Sequence, residues 1–305
     1  MLFHGIIAAG FVWLSNKKRP LHMSIAYLNG DYMPLEEVRI SPMDRGFLFG
    51  EGIYEVIPSY AGRLLAFDLH IQRMENGLRA IALPLPPIPW RNIVEGLLER
   101  NALPDAAVYL HVSRGADKTR SHARPVGLRP TIFAFVFAIA PALAADRSSV
   151  RGFKVVSMED CRWRRCHIKS TSLLGNLLHY QQGQDSGGDE CILYNQHRQL
   201  TEASSSNVFV VRGRQISTPV EDSQILPGIT RHIVLDVLRQ QRDLAVVERL
   251  ITMDEVHSAD EIWLCSSTKG IVPVCQLDGV AVGSGKAGAL WQRAQGLYLA
   301  NKFNY

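Results

Sequence analysis

The chain has 305 residues, 47% of them hydrophobic and 20% charged, with a formal net charge of +4. These proportions describe an ordinary globular protein, long enough for one large core or two smaller ones. So small a charge without a long basic run excludes nucleic acid as the expected partner.

In chain order, residues 2–14 are mostly apolar and are followed by Asn16-Lys17-Lys18-Arg19-Pro20. An apolar run of about 13 residues is too short to span a bilayer, and its charges follow it rather than precede it as in a signal segment. An over-extended start is the preferred reading of residues 1–22, with a peripheral arm second. No membrane association is expected. Residues 27–33 place two short β-prone runs around Asn29-Gly30, a hairpin pattern. Residues 53–66, broken by Gly62, read as a second hairpin. Ile71, Met74, Leu78 and Ile81 recur at helical spacing, which predicts a helix over 70–83 that ends at Pro84 and carries Arg73 on its first turn.

A proline-rich connector over 84–89 leads into a helix through Glu99. Residues 108–112 and 131–138 read as strands flanking a loop that contains Arg120 and His122. The alanine-rich stretch 138–146, with Pro141, reads as a linker between two α/β domains, an N-terminal one over 23–140 and a larger one over 147–305. Beyond it come a strand over 153–158, a helix over 173–184, strands over 191–194 and 208–211, and a helix from Gly228 through Arg239. A strand over 261–265 then runs into the hydroxyl-rich turn Ser266-Ser267-Thr268. No internal repeat is present.

The five cysteines, Cys161, Cys166, Cys191, Cys265 and Cys275, match neither zinc spacing nor a disulfide framework. Reduced thiols in a cytoplasmic protein without a metal are expected. Cys166 lies three positions before Lys169. It reads as a packing thiol rather than a nucleophile.

The most informative residues are Lys169, before Ser170-Thr171-Ser172, and Glu202, before Ser204-Ser205-Ser206. An amine, a carboxylate and hydroxyl donors are the parts needed to hold pyridoxal 5'-phosphate: one for its aldehyde, one for its ring nitrogen, the rest around both. A nucleophilic amine must act unprotonated, which burial and neighbouring cations favour. Arg162, Arg164, Arg165 and His167 supply such cations in sequence. Taken singly, a lysine or a glutamate is most often a solvated surface residue. The serine cluster lacks the Gly-x-Ser-x-Gly turn of a serine hydrolase. The helix opening at Gly228-Ile229-Thr230 offers free backbone amides of the kind that bind phosphate.

The text from Glu202 through Asn207-Val208-Phe209 to Leu226-Pro227-Gly228-Ile229-Thr230-Arg231 resembles the signature of the fold-type IV (class IV) pyridoxal-phosphate aminotransferases. Residues 44–55 and 70–74 resemble the same family's N-terminal motifs, and the likeness runs from about Tyr27 to about Leu299. The resemblance implies a mixed α/β, two-domain enzyme with a smaller N-terminal and a larger C-terminal domain. It makes Lys169 the catalytic Schiff-base lysine and Glu202 the partner of the ring nitrogen. It assigns Arg73, Ile229, Thr230 and Ser267 to the phosphate, and Tyr54 to a place near lysine and phosphate where it meets both cofactor and substrate; the hydroxyls of Ser205 and Ser206 read as supports for the cofactor ring or as simple turn donors.

Within the family the chain is most similar to the D-amino-acid transaminases. Arg120-Ser121-His122 ends the stretch 114–122 with the Arg-x-His pair that those enzymes use, across a dimer interface, to hold the substrate carboxylate. The stretch between Arg114-Gly115 and Arg120 is one residue longer than the family pattern. The resemblance thus implies a homodimer exchanging an amino group between a D-amino acid such as D-alanine and a 2-oxo acid such as 2-oxoglutarate. The alternatives on the same fold are an L-branched-chain or (R)-amine transaminase, or an aminodeoxychorismate lyase.

Overall fold

The computed structural model describes residues 24–305. The reading of residues 1–22 therefore lies outside the described residues. The first half of the chain supplies β1 (Ile25–Leu28), β2 (Asp31–Pro34), α1 (Arg45–Phe49), β3 (Gly52–Tyr60), β4 (Arg63–Leu64), α2 (Phe67–Ala80), α3 (Trp90–Asn101), β5 (Asp105–Ser113) and β6 (Thr131–Ala138). These strands form a six-stranded sheet in the order β2-β1-β6-β5-β3-β4, antiparallel at every pairing.

Alternation along β3 and β5 explains the packing of this sheet. Ile53, Ile57, Val108, Leu110 and Val112 point to one face and form a core with Met74 and Leu78 of α2 and Val94 and Leu97 of α3. The other face carries Tyr54, Tyr109 and Phe135 in a row of ring contacts, with centroids 5.5 Å and 5.2 Å apart.

The second half supplies β7 (Phe153–Glu159), α4 (Leu174–Asp185), β8 (Glu190–Tyr194), β9 (Leu200–Ala203), β10 (Asn207–Arg212), β11 (Gln215–Thr218) and α5 (Ile229–Arg239). It continues with β12 (Ala245–Glu248), α6 (Met253–His257), β13 (Glu261–Ser266), β14 (Gly270–Leu277), β15 (Val280–Ala281) and α7 (Ala289–Asn301). The sheet runs β12-β11-β10-β13-β14-β7-β8-β9, with β15 beside β14. It is mixed: β7 pairs in parallel with both β8 and β14, and β10 antiparallel with β13. Helices α5 and α7 cover one face through Ile233, Val234, Trp291 and Tyr298.

Residues 139–152 join the two sheets without helix or strand. The two cores are not sealed from each other: Leu65 and Ala66 pack into the α5–α7 core, and Ile168 packs into the core of the first sheet. The helix expected over 70–83 moves at both ends, α2 closing at Ala80. Helix α2 starts at Phe67 rather than at residue 70, because Ala66 adopts a left-handed turn (φ 47°) and Phe67 is already buried. Arg73 accordingly sits at the end of the second helical turn, not on the first.

Candidate active site

Lys169 is carried by a segment that runs antiparallel to the start of β3. The Tyr54 N–H donates to the Lys169 carbonyl at 3.0 Å, and the Thr171 N–H donates to Gly52 O at 2.9 Å. These bonds stitch the first sheet to the second half of the chain and set Lys169 Nζ 4.2 Å from the centre of the Tyr54 ring. They border a cavity of about 510 Å³ lined by both halves of the chain.

Glu202 enters the same cavity from β9, where it is 5% exposed. Its Oε1 accepts from Arg162 Nη1 at 2.6 Å, and its Oε2 accepts from the Leu226 N–H at 3.0 Å and Asn207 Nδ2 at 3.2 Å. Burial raises the pKa of its carboxyl, and the Arg162 charge and Leu226 amide act against that rise. Arg162 also grips Asp160, with Nη2 to Oδ2 at 2.8 Å. Burial works against the Asp160 carboxylate, yet the Arg162 bonds hold its pKa below the usual value.

Arg73 reaches the cavity from α2, and a fully buried carboxylate aims it. Its Nε and Nη2 donate to Glu55 Oε1 and Oε2 at 2.7 and 2.8 Å, while Nη1 donates to Pro227 O at 2.9 Å. His70 Nδ1 meets Glu55 Oε2 at 2.7 Å from the other side. Burial would push Glu55 up, but Arg73 and His70 more than offset it, so its pKa lies far below the usual glutamate range. Burial is also the main reason that the His70 pKa is lowered.

Gly228 precedes α5, whose N-terminus lacks a side-chain cap and lies in the cavity wall with Ile229 and Thr230. A Cβ at Gly228 would come within 1.9 Å of Asn207 Oδ1, so this close approach requires glycine. Ser206 Oγ is buried with no hydrogen-bond partner among the described residues. Thr230 Oγ1 is buried in the same way, the Tyr298 phenol being a neighbour outside hydrogen-bond geometry. Ser267 lines the cavity beside them. Ser205 lines it as well, but its hydroxyl is engaged by the buried Glu190 at 3.1 and 3.2 Å.

The structure thus brings Lys169, Glu202, Arg73, Tyr54, Ile229, Thr230, Ser205, Ser206 and Ser267 to one cavity. It does not bring Arg120 and His122 there. Both are exposed and lie against Phe49, the Arg120 guanidinium 5.2 Å and the His122 ring 5.4 Å from its ring centre. Cys166 is a cavity-wall thiol that burial pushes up to about 11, so at neutral pH it is protonated and no nucleophile.

Sequence reasoning does not single out Arg162, Glu55 and His70 as members of the site. Arg162 is visible there as a cation near Lys169, but 40 positions separate it from the glutamate it serves.

The amino-transferase class IV family profile matches residues 52–277. The D-alanine aminotransferase of Bacillus licheniformis is 35% identical over 269 residues, covering 88% of this chain and 93% of that protein. A second, from Listeria monocytogenes serotype 1/2a (strain 10403S), is 33% identical over 265 residues, covering 86% and 91%. Among solved structures, the branched-chain amino acid aminotransferase from Escherichia coli superposes with a TM-score of 0.82 at 20% identity, over 92% of this chain and 94% of that one. A PLP-bound hypothetical aminotransferase from Mycobacterium tuberculosis does so at 0.78 and 20% identity, over 92% and 99%. At such identity these two structures establish the fold.

Proposed function

Because the chain belongs to the class IV aminotransferases, we propose that it moves an amino group between a D-amino acid, such as D-alanine, and a 2-oxo acid, such as 2-oxoglutarate. The cofactor is pyridoxal 5'-phosphate, and the cavity residues fit it on four counts. There is one lysine amine beside an aromatic ring, one buried glutamate, one buried arginine beside an uncapped helix N-terminus, and a buried hydroxyl at Ser206 left without a partner among the described residues. The convergence of Lys169, Glu202 and Arg73 on one cavity is the observation that carries the reading.

Arg73, the first amides of α5 with Thr230, and Ser267 would hold the phosphate, where a guanidinium and free N–H groups suit an anion. Glu202 would face the ring nitrogen and keep it protonated. When bound, the cofactor supplies an electron sink for negative charge developing at the substrate α-carbon. Lys169 Nζ would take the proton from that α-carbon as general base and release it at the cofactor's C4' carbon as general acid. Tyr54, packed on Tyr109, walls off one side of the lysine.

The preference for D-amino acids rests on Arg120-Ser121-His122 and on the relatives named D-alanine aminotransferase. Since Arg120 and His122 do not line their own cavity, we assign them to the α-carboxylate of a substrate bound by a second copy, in a homodimer. The division into domains at 23–140 and 147–305 belongs to the same reading. So does a cytoplasmic location, which five free cysteines favour. No helix among the described residues is long and apolar enough to cross a membrane.

Two measurements test this. Borohydride reduction of the holoenzyme followed by peptide mapping places a pyridoxyl label on the Lys169 peptide; a label elsewhere, or none, overturns the site. A panel of D- and L-amino acids against 2-oxoglutarate and pyruvate gives its highest rate with a D-amino acid. Faster turnover of L-leucine or L-alanine overturns the stereochemical assignment, and pyruvate release without an amino acceptor reveals a lyase.

A further inference from the structure

Residues 114–130 connect β5 to β6 without helix or strand, yet the half that carries Arg120 and His122 is held at several points. Gly115, at φ 94°, lies so close to the Arg129 carbonyl that a Cβ would come within 1.9 Å of that oxygen. The Arg45 N–H donates to Gly115 O at 2.9 Å, and the Asp117 N–H to Met43 O at 3.3 Å. Asp44 caps α1 at 2.8 Å through Gly46 N and also accepts from Thr131 Oγ1 at 2.6 Å, tying α1 to the start of β6.

The decisive contacts come from Arg45, whose side chain is 6% exposed. Its Nε donates to Glu51 Oε2 at 2.6 Å, and its Nη1 donates at 2.6 Å to the carbonyl of Ser121, the residue between Arg120 and His122. The same guanidinium lies 4.8 Å from the centre of the Phe49 ring, against which both Arg120 and His122 also rest. Glu51 is fixed in turn by Arg114 at 2.5 Å, and Arg114 is anchored on the Ile81 carbonyl at 2.6 Å. A chain of part-buried charge-assisted bonds therefore runs from the end of α2, through α1, to the loop. An aromatic ring facing cations adds a modest attraction and a fixed plane.

We propose that Arg45 and Phe49 are positioning residues: α1 is a rigid mount that presents Arg120 and His122, already oriented, to the substrate carboxylate in a second copy's cavity. This rests on the carboxylate role given above to Arg120 and His122. A segment without helix or strand loses backbone entropy when it is ordered, and the bonds to α1 already hold this one. Orientation set before substrate arrives lowers the cost of binding.

Phe49 is only half-buried, so Phe49→Leu leaves the core intact and removes the flat ring. Arg45→Lys keeps a cation for Glu51 but not the fork that reaches Ser121 at the same time. In the purified holoenzyme, each variant is expected to raise KM for D-alanine roughly tenfold to a hundredfold with the cofactor absorbance and kcat near wild type. A merely structural defect would lower kcat and cofactor content together. Mixed dimers of Phe49→Leu chains with Lys169→Ala chains add a second readout. The only cavity that keeps Lys169 then receives its grip from a chain with intact Phe49, so KM returns to the wild-type value.

A wild-type KM in both homodimeric variants, or a KM still raised in the mixed dimer, overturns the proposal. Arg120→Ala separates the two levels. If it leaves KM unchanged, the carboxylate role itself fails; if it raises KM while Phe49→Leu and Arg45→Lys do not, the mount alone fails.

Discussion

Arg162 and Glu202 form an ion pair of 2.6 Å in the cavity wall, with side chains 3% and 7% exposed. A carboxylate this deep is costly to keep ionised, and the guanidinium fork that bridges it to Asp160 compensates for lost water. Replacing Arg162 by Met strands the buried Glu202 and the mostly buried Asp160. We expect a loss of roughly 3–5 kcal/mol in unfolding free energy, the usual scale when one partner of a buried pair is removed. Chemical denaturation followed by fluorescence measures it. A loss within the range of a surface substitution would show that the pair is not structurally coupled.

Glu202→Gln tests the electrostatic half of the same arrangement. The amide preserves size and can still accept from the Leu226 N–H, but it has no negative charge to hold a proton on the ring nitrogen. Turnover is expected to fall roughly a hundredfold or more, the scale for removing one preorganised electrostatic partner. Retention of bound cofactor distinguishes a chemical defect from a binding defect. Steady-state kinetics with D-alanine, alongside the cofactor-to-protein ratio, checks both.

Much of this site is readable from the chain because its parts sit on local motifs. Lys169 lies before a hydroxyl run, Glu202 before a serine cluster, and Ile229 and Thr230 at a helix start marked by Pro227-Gly228. The charged partners are not readable. Arg162 is visible in sequence only as a cation near Lys169 and Glu55 only as the end of the 44–55 motif, and tertiary packing alone shows that one is bound to Glu202 and the other to Arg73. Strand β14 escapes a sequence reading because Pro273 lies inside it, opposite Trp263, where a proline ordinarily argues against a strand. Helix α7 escapes for another reason: Gln295 is buried in its middle, donating to Leu143 O and accepting from the Ile271 N–H, which blurs the apolar face.

The Glu55–His70–Arg73 cluster predicts a one-sided pH dependence of stability. The folded pKa of Glu55 is depressed, so its contribution is complete above the usual glutamate value of 4.5 and is lost as pH falls below it toward the folded value. His70, also depressed in the folded state, takes up its proton more readily when unfolded, so stability begins to fall as pH drops through 6.5. Both effects act on the acid side, and neither adds loss above neutrality. Thermal midpoints between pH 8 and pH 4 should therefore decline in that direction, and His70→Gln should flatten the upper part of the decline. A variant curve parallel to wild type would remove His70 from the cause.

Gly50 offers the sharpest backbone test, because two constraints meet there. It closes α1 in the left-handed region, at φ 65°, and a Cβ on it would come within 2.4 Å of Ser172 Oγ, three residues from Lys169. The Ser172 hydroxyl already donates to the Gly50 carbonyl at 3.1 Å, so the two segments have no slack between them. Gly50→Ala must tolerate an unfavourable φ, costing roughly 1–2 kcal/mol, and must also push the lysine-bearing segment away from β3. We expect a lowered thermal midpoint together with weaker cofactor retention, since the bonds from Tyr54 N to Lys169 O and from Thr171 N to Gly52 O adjoin the displaced contact. The double variant Gly50→Ala with Ser172→Ala removes the hydroxyl clash, leaves the tight contacts to the Cα and Cβ of residue 172 at 3.2 and 3.3 Å, and keeps the strained φ. It should recover cofactor retention while the stability loss persists, and recovery of neither would show that the steric contact is not what ties α1 to Lys169.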